Sequence, residues 1–185
     1  MKKLIVAESA GFCAGVERSV HIAEDTLSRY GKAISYGELI HNKDEVSRLE
    51  KLGLKTLKDI EDIPDGSVVI IRAHGIGREE QRALTDKNCI VVDGTCGKVK
   101  QVQRLAEKAE EEDRKLIIIG DKNHPEVKGI AAYCKDSVIF ADSEELRNWL
   151  ETDISRRDEP ISLVFQTTQT KKVYNSCENL IYRRI

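Results

Sequence analysis

Ser67-Val68-Val69-Ile70-Ile71-Arg72, running on into Ala73-His74-Gly75, is an unbroken apolar run that ends in a polar turn. A strand with one wet face alternates; a continuous run signals a strand covered on both faces, the pattern of a parallel or mostly parallel sheet. Short β-rich runs recur along the chain at Leu4 to Ala7, Ala33 to Tyr36, Ile90 to Asp93, Leu116 to Ile119, Ser137 to Phe140 and Ser162 to Phe165. Helical stripes fill the gaps. Val16, Val20, Ala23, Leu27 and Tyr30 share one face, and Gly31 is placed to end that helix. Asn42 with Glu45 reads as a capped start for a helix over Asp44 to Leu52. Val99, Val102, Leu105, Ala106 and Ala109 mark a charged helix ending near Arg114. Pro125 suits the first turn of a helix to Tyr133, and Ser143 is read as the cap of a segment through Leu150. Strand and helix in alternation predict an α/β fold of two similar lobes, each a mostly parallel sheet flanked by helices. The lobes are taken as residues 1–96 and 97–185. A last stripe, Val173, Cys177, Leu180 and Ile181, reaches the C-terminus with no cap and no following strand, so the chain is expected to stop before the architecture is complete.

At 185 residues and 40% hydrophobic, the chain has enough material for real cores. Charged residues are 34% of the sequence but nearly cancel, at a formal net charge of -2, which excludes a strongly basic nucleic-acid footprint. The first apolar run is too short for a signal sequence, and none approaches membrane-spanning length, so a cytoplasmic protein with no membrane partner is expected. Five cysteines are an odd number. In a reducing compartment each is a packing residue, a ligand or a nucleophile.

In open α/β sheets, ligands bind where strand C-termini turn into helices. Those turns read Ala10-Gly11-Phe12-Cys13-Ala14-Gly15, Glu38-Leu39-Ile40-His41-Asn42, Arg72-Ala73-His74-Gly75, Asp93-Gly94-Thr95-Cys96-Gly97, Gly120-Asp121-Lys122-Asn123-His124-Pro125-Glu126 and Gln166-Thr167-Thr168-Gln169-Thr170. His41, His74 and His124 all fall at them, while His21 lies inside the first helix and is ordinary. A single histidine at a turn is equally well a helix-start hydrogen-bonding group. Three, with Thr167 and helix N-termini facing one crevice, suit phosphate oxygens. Cys13 and Cys96 sit between small residues at helix starts, where negative charge is favoured and iron or zinc could be ligated; buried packing cysteines are the plain alternative. Cys89 and Cys134 read as packing residues. Glu126, in the first turn of its helix, would need burial or a hydrogen-bonded relay to act as a proton donor.

Taken together, Gly11-Phe12-Cys13-Ala14-Gly15-Val16, His41-Asn42, Ala73-His74-Gly75, Thr95-Cys96, His124-Pro125-Glu126-Val127-Lys128-Gly129 and Gln166-Thr167-Thr168 resemble the successive signatures of the 4-hydroxy-3-methylbut-2-enyl diphosphate reductase family. The likeness covers essentially the whole chain, and about the first two-thirds of a family member. It implies a trefoil of three α/β lobes around a central [4Fe-4S] cluster, each lobe supplying one cysteine, and reductive removal of an allylic hydroxyl to give isopentenyl and dimethylallyl diphosphate. It further implies that Cys13 and Cys96 ligate the cluster, that His41, His74, His124, Thr167 and Thr168 bind the small diphosphate substrate, and that Glu126 and Thr167 are catalytic. An electron donor, not identified by the sequence, is implied as a partner. Self-association is expected through the lobe face left by the third lobe.

The pattern departs from the family at Gly94 and Gly97, where alanine and proline are usual, and at Ile130-Ala131, where glycine-glutamine is usual. The resemblance implies a third lobe with the third cysteine, which is not found among residues 1–185, and Cys177 reads as helix interior, not as its replacement. Two other readings stay open: a phosphate-binding module without a working cluster, and zinc held by Cys13, Cys96 and a histidine.

Overall fold

The structure is a computed structural model that describes Ile5 and residues 11–184. The strand expected over Leu4 to Ala7 therefore lies outside the described residues. Among those residues the order is α1 Ala14–Tyr30, β1 Ala33–Tyr36, α2 Lys43–Lys51, β2 Leu54–Leu57, β3 Val68–Ile71, α3 Arg78–Asp86, β4 Ile90–Asp93 and α4 Gly97–Glu111. There follow β5 Lys115–Ile119, α5 Pro125–Ala131, β6 Ser137–Phe140, α6 Ser143–Glu151, a 3-10 turn at Ile154–Arg157, β7 Ile161–Phe165 and α7 Lys171–Arg184.

The strands form two wholly parallel sheets, ordered β2-β1-β3-β4 and β6-β5-β7. The continuous apolar runs are explained by what covers each face. Along β3, Ile70 packs with α1 and α2 residues Ala23, Leu27 and Leu49, whereas Val69 and Ile71 pack on the other face with Leu84 of α3. Along β5, Leu116 and Ile118 meet Ala106 and Ala109 of α4 and Val127 and Ile130 of α5, while Ile117 and Ile119 meet Leu146 of α6 and Cys177 of α7. Successive strand side chains point to opposite faces, so each face collects every second residue and both must be apolar.

Two elements were not read, and one cap and two helix ends need correction. β2 and α3 carry too little apolar patterning to be seen: Leu54 is the one buried residue of β2 and Leu84 of α3. The cap of α6 is Asp142, which accepts from Glu144 N at 2.8 Å and Glu145 N at 3.1 Å; Ser143 is the first helical residue. The helices read as ending at Arg114 and Tyr133 stop at Glu111 and Ala131. The Asn42 cap forms as expected, its side chain accepting from Glu45 N at 3.0 Å.

Both sheets change winding direction. From β1 the chain adds β2 on one side and then β3 on the other, and in the second sheet β6 and β7 flank β5 in the same way. Crevices open at such points, beyond the strand C-termini. The turns after β1 and β3 carry His41 and His74; those after β5 and β7 carry His124 and Thr167.

Candidate functional site

Backbone bonding continues past the strands and ties the first sheet's turns together. Ala73 N donates to Leu39 O at 3.1 Å, Gly94 N to Ile71 O at 3.0 Å and Cys96 N to Ala73 O at 2.9 Å. The turn bearing His41, the turn bearing His74 and the start of α4 are thereby fixed side by side. The second sheet does the same: Gln166 N donates to Ile119 O at 2.9 Å, and Asp121 N donates to the Gln166 side-chain Oε1 at 3.0 Å.

Helix α5 joins the two groups of turns. A Cβ at Gly129 would stand 3.7 Å from the His74 carbonyl oxygen, so α5 lies directly against that turn. His124, the residue capping α5, is thus brought to His74. Ring centroids are 4.5 Å apart for His41 and His74, 5.2 Å for His74 and His124, and 5.8 Å for His41 and His124. Ring nitrogens of the three converge within 4.8 Å, the one set of three or more His, Cys, Asp or Glu groups among the described residues to do so. An adjoining cleft of about 340 Å³ is lined by Gly37, Glu38, His41, Lys58, Arg72, His74 and Pro125.

Anions suit this cluster better than cations. The Glu126 backbone N–H can only donate, and it donates to His124 Nδ1 at 3.2 Å. The neutral ring must then carry its proton on Nε2, which becomes a donor and not a metal ligand. His74 is largely buried, and its Nδ1 has no partner. Burial, then the neighbouring His41 and His124 rings and Arg72, pulls its pKa down to about 4. His74 is therefore neutral at physiological pH and carries one N–H to offer. His41, at the rim, stands 3.8 Å from Glu38.

Glu126 is 2% exposed and does not open to solvent. Its carboxylate is held by one residue of the β7 turn: Thr167 N donates to Oε1 at 2.6 Å and Thr167 Oγ1 to Oε2 at 2.9 Å. Thr167 is itself exposed, so the pair links a buried carboxylate to a surface residue. Thr168 accepts from Gln166 Nε2 at 3.1 Å, which braces the turn.

Cys13 and Cys96 are the N-caps of α1 and α4, and neither thiol caps its helix. A Cβ at Gly15 would lie 2.5 Å from Cys96 Sγ, so only glycine lets that sulfur rest on the first turn of α1, the helix that Cys13 precedes. The two helices are pinned by Ser19 Oγ donating to Gly94 O at 2.7 Å and Arg18 donating to Thr95 O at 3.1 Å. The other cysteines are elsewhere. Cys177 is buried in the second sheet's core and burial, with Asp142 nearby, pushes its pKa up to about 11. Cys134 is buried with its thiol against the Arg114 and Asp136 carbonyls, and Cys89 packs near Pro64. His21 pairs with Glu24 on the surface of α1.

Sequence reasoning missed Arg72, Ser19 and Gln103. Gln103 is buried and donates to Ile76 O at 3.3 Å, holding α4 on the His74 turn. The signal for Ser19 and Gln103 was a polar residue beside an apolar helical stripe; for Arg72 it was a cation closing an apolar strand.

Among known proteins, the sequence profile of the family described as LytB protein matches residues 4–185. A 4-hydroxy-3-methylbut-2-enyl diphosphate reductase from Campylobacter hominis is 43% identical over 169 residues, covering 90% of this chain and 58% of the relative. The protein of that name from Clostridium perfringens is 38% identical over 185 residues, covering 98% and 63%. The solved structure of the E-1-hydroxy-2-methyl-but-2-enyl-4-diphosphate reductase from Plasmodium falciparum has a TM-score of 0.87 at 26% identity, over 96% of this chain and 55% of that one. A second structure, of (E)-4-hydroxy-3-methyl-but-2-enyl diphosphate reductase, has a TM-score of 0.83 at 34% identity, over 98% and 64%. The chain thus spans less than two thirds of the length of the relatives it matches.

Proposed function

The chain belongs to the LytB protein family, and on that premise we propose that its three-histidine cluster binds a small organic diphosphate as part of a 4-hydroxy-3-methylbut-2-enyl diphosphate reductase site. The observation that carries this reading is the convergence of His41, His74 and His124 from three separate strand-end turns, next to the Glu126–Thr167 pair. Imidazole N–H groups are suited to phosphate oxygens, and the partly enclosed setting strengthens such bonds.

In the reductase reaction two electrons and one proton cleave an allylic C–O bond and release water, and a second proton goes to an allylic carbon to give the alkene product. Glu126 is the proton source in this reading. Being buried, it reaches the leaving hydroxyl through Thr167: Glu126 passes a proton to Thr167 Oγ1, and that hydroxyl passes its own to the departing oxygen. Thr167 also positions the substrate hydroxyl, and Thr168 borders the same turn. Cys13 and Cys96 would hold an iron–sulfur cluster, which when bound supplies the electrons and a Lewis-acidic iron. Their unbonded thiols at adjoining helix starts fit two ligand positions. The electrons come from a donor outside the chain. We place the lobe boundary between Cys96 and Gly97, a division supported by α4, whose Ala106 and Ala109 pack in the second sheet's core.

One observation favours a second reading, that of a diphosphate-binding module without a working cluster: among the described residues no third His, Cys, Asp or Glu converges with Cys13 and Cys96. The same fact, with the His124 tautomer, disfavours zinc. Calorimetry with inorganic pyrophosphate tests the binding claim. Binding is expected to survive Cys13→Ser with Cys96→Ser and to be lost when the three histidines are changed to alanine; binding indifferent to the histidines sinks it. Anaerobic reconstitution with iron and sulfide then separates the two readings, since a chain that stays colourless leaves only the module.

A further inference from the structure

Arg72 directly follows β3 in the wall of the cleft and has no part in the chemistry proposed above. Its side chain lies across Gly37, whose φ of 74° and lack of a Cβ make room for it; any side chain at that position would collide with the guanidinium. The guanidinium carbon sits 5.7 Å from the Tyr36 ring centroid. Tyr36 is anchored in turn, its hydroxyl donating to Glu80 Oε1 at 2.8 Å while Glu80 Oε2 accepts from Gly77 N at 2.6 Å. The fork is therefore stacked and held in place.

Arg72 has no direct ion-pair partner: Glu80, the carboxylate that acts on it at longer range, is already engaged by the Tyr36 hydroxyl and Gly77 N. Among the described residues no carboxylate lies within ion-pair range of it, and its Nε–H is buried without an acceptor. A largely buried cation left unpaired destabilises the fold that contains it, so its retention in a cleft wall marks a place where an anion completes the site. Lys58 lies in the same wall, and Glu38, the one carboxylate there, faces His41. The three imidazoles bring ring nitrogens within 4.8 Å of one another, a span one phosphoryl group can bridge, while a planar guanidinium matches two oxygens of another.

We propose that Arg72 binds the second phosphoryl group of the ligand and makes the cleft selective for diphosphates over monophosphates. This rests on the anion-binding reading of the histidine cluster. The test is calorimetry with inorganic pyrophosphate and with orthophosphate on the unaltered chain, Arg72→Gln and Arg72→Lys. Arg72→Gln is expected to weaken pyrophosphate binding about tenfold or more, as loss of a bidentate charge-assisted contact does, while orthophosphate affinity moves less than about twofold. Arg72→Lys falls between, because a point charge replaces the fork. Equal losses for both anions, or no loss for either, would overturn the proposal. If the glutamine variant does not fold, NMR on the unaltered chain decides: pyrophosphate but not orthophosphate should shift the Arg72 guanidinium signals. No pyrophosphate binding by the unaltered chain would instead sink the parent reading, so the two failures are distinguishable.

Discussion

At the scale of the residue, His74 and Glu126 show how burial sets the chemistry of a group. His74 is expected to titrate by NMR with a midpoint near 4. Folding lowers its proton affinity, so the unfolded chain takes up the proton first as pH falls. The stability contributed by neutral His74 is complete above the unfolded imidazole value and is lost as pH drops toward 4. A His74 midpoint in the ordinary range would contradict the burial argument. Glu126→Ala removes the acceptor for both Thr167 donors and should cost about 1–3 kcal/mol in urea unfolding. Glu126→Gln, which keeps one acceptor oxygen, should cost less; a larger loss than alanine causes would mean the pair is not arranged as described. The histidines and Glu126 were legible because they fall where strands must turn into helices. Arg72 was not, since what sets it apart is a buried Nε–H without an acceptor, which only packing reveals.

Elements place those residues. The corner where α1 meets α4 depends on Gly15, and Gly15→Ala should destabilise the chain by about 1–3 kcal/mol through overpacking against Cys96. Ser19→Ala, which breaks the bond from α1 to Gly94, should cost about 1 kcal/mol. Gly15→Ala should also change the reactivity of Cys96 toward a thiol reagent and leave the buried Cys177 unchanged; equal effects on both would mean general loosening. Most elements could be read from periodicity, because a strand buried on both faces and a striped helix each declare their surroundings. Those that escaped, β2 and α3, have an apolar pattern interrupted by charged or polar residues. β2 is an edge strand with exposed Lys55 in its middle, and α3 is a charged helix resting on Leu84 alone. Asp142 escaped for another reason: Asp142 and Ser143 are both good capping residues, and only geometry chooses between them.

For the whole molecule, the decisive step is that two parallel sheets present their winding reversals to each other, so that turns far apart in sequence meet. Topology made the individual turns predictable, but their meeting depends on α5 lying against the His74 turn, a contact that no local pattern announces. The shared cavity is what every functional statement rests on. It is tested most directly by following the ring signals of all four histidines by NMR while inorganic pyrophosphate is added. His41, His74 and His124 should shift along a single saturation curve while His21 stays still; three unrelated curves, or a His21 shift equal to the others, would show that no common site exists.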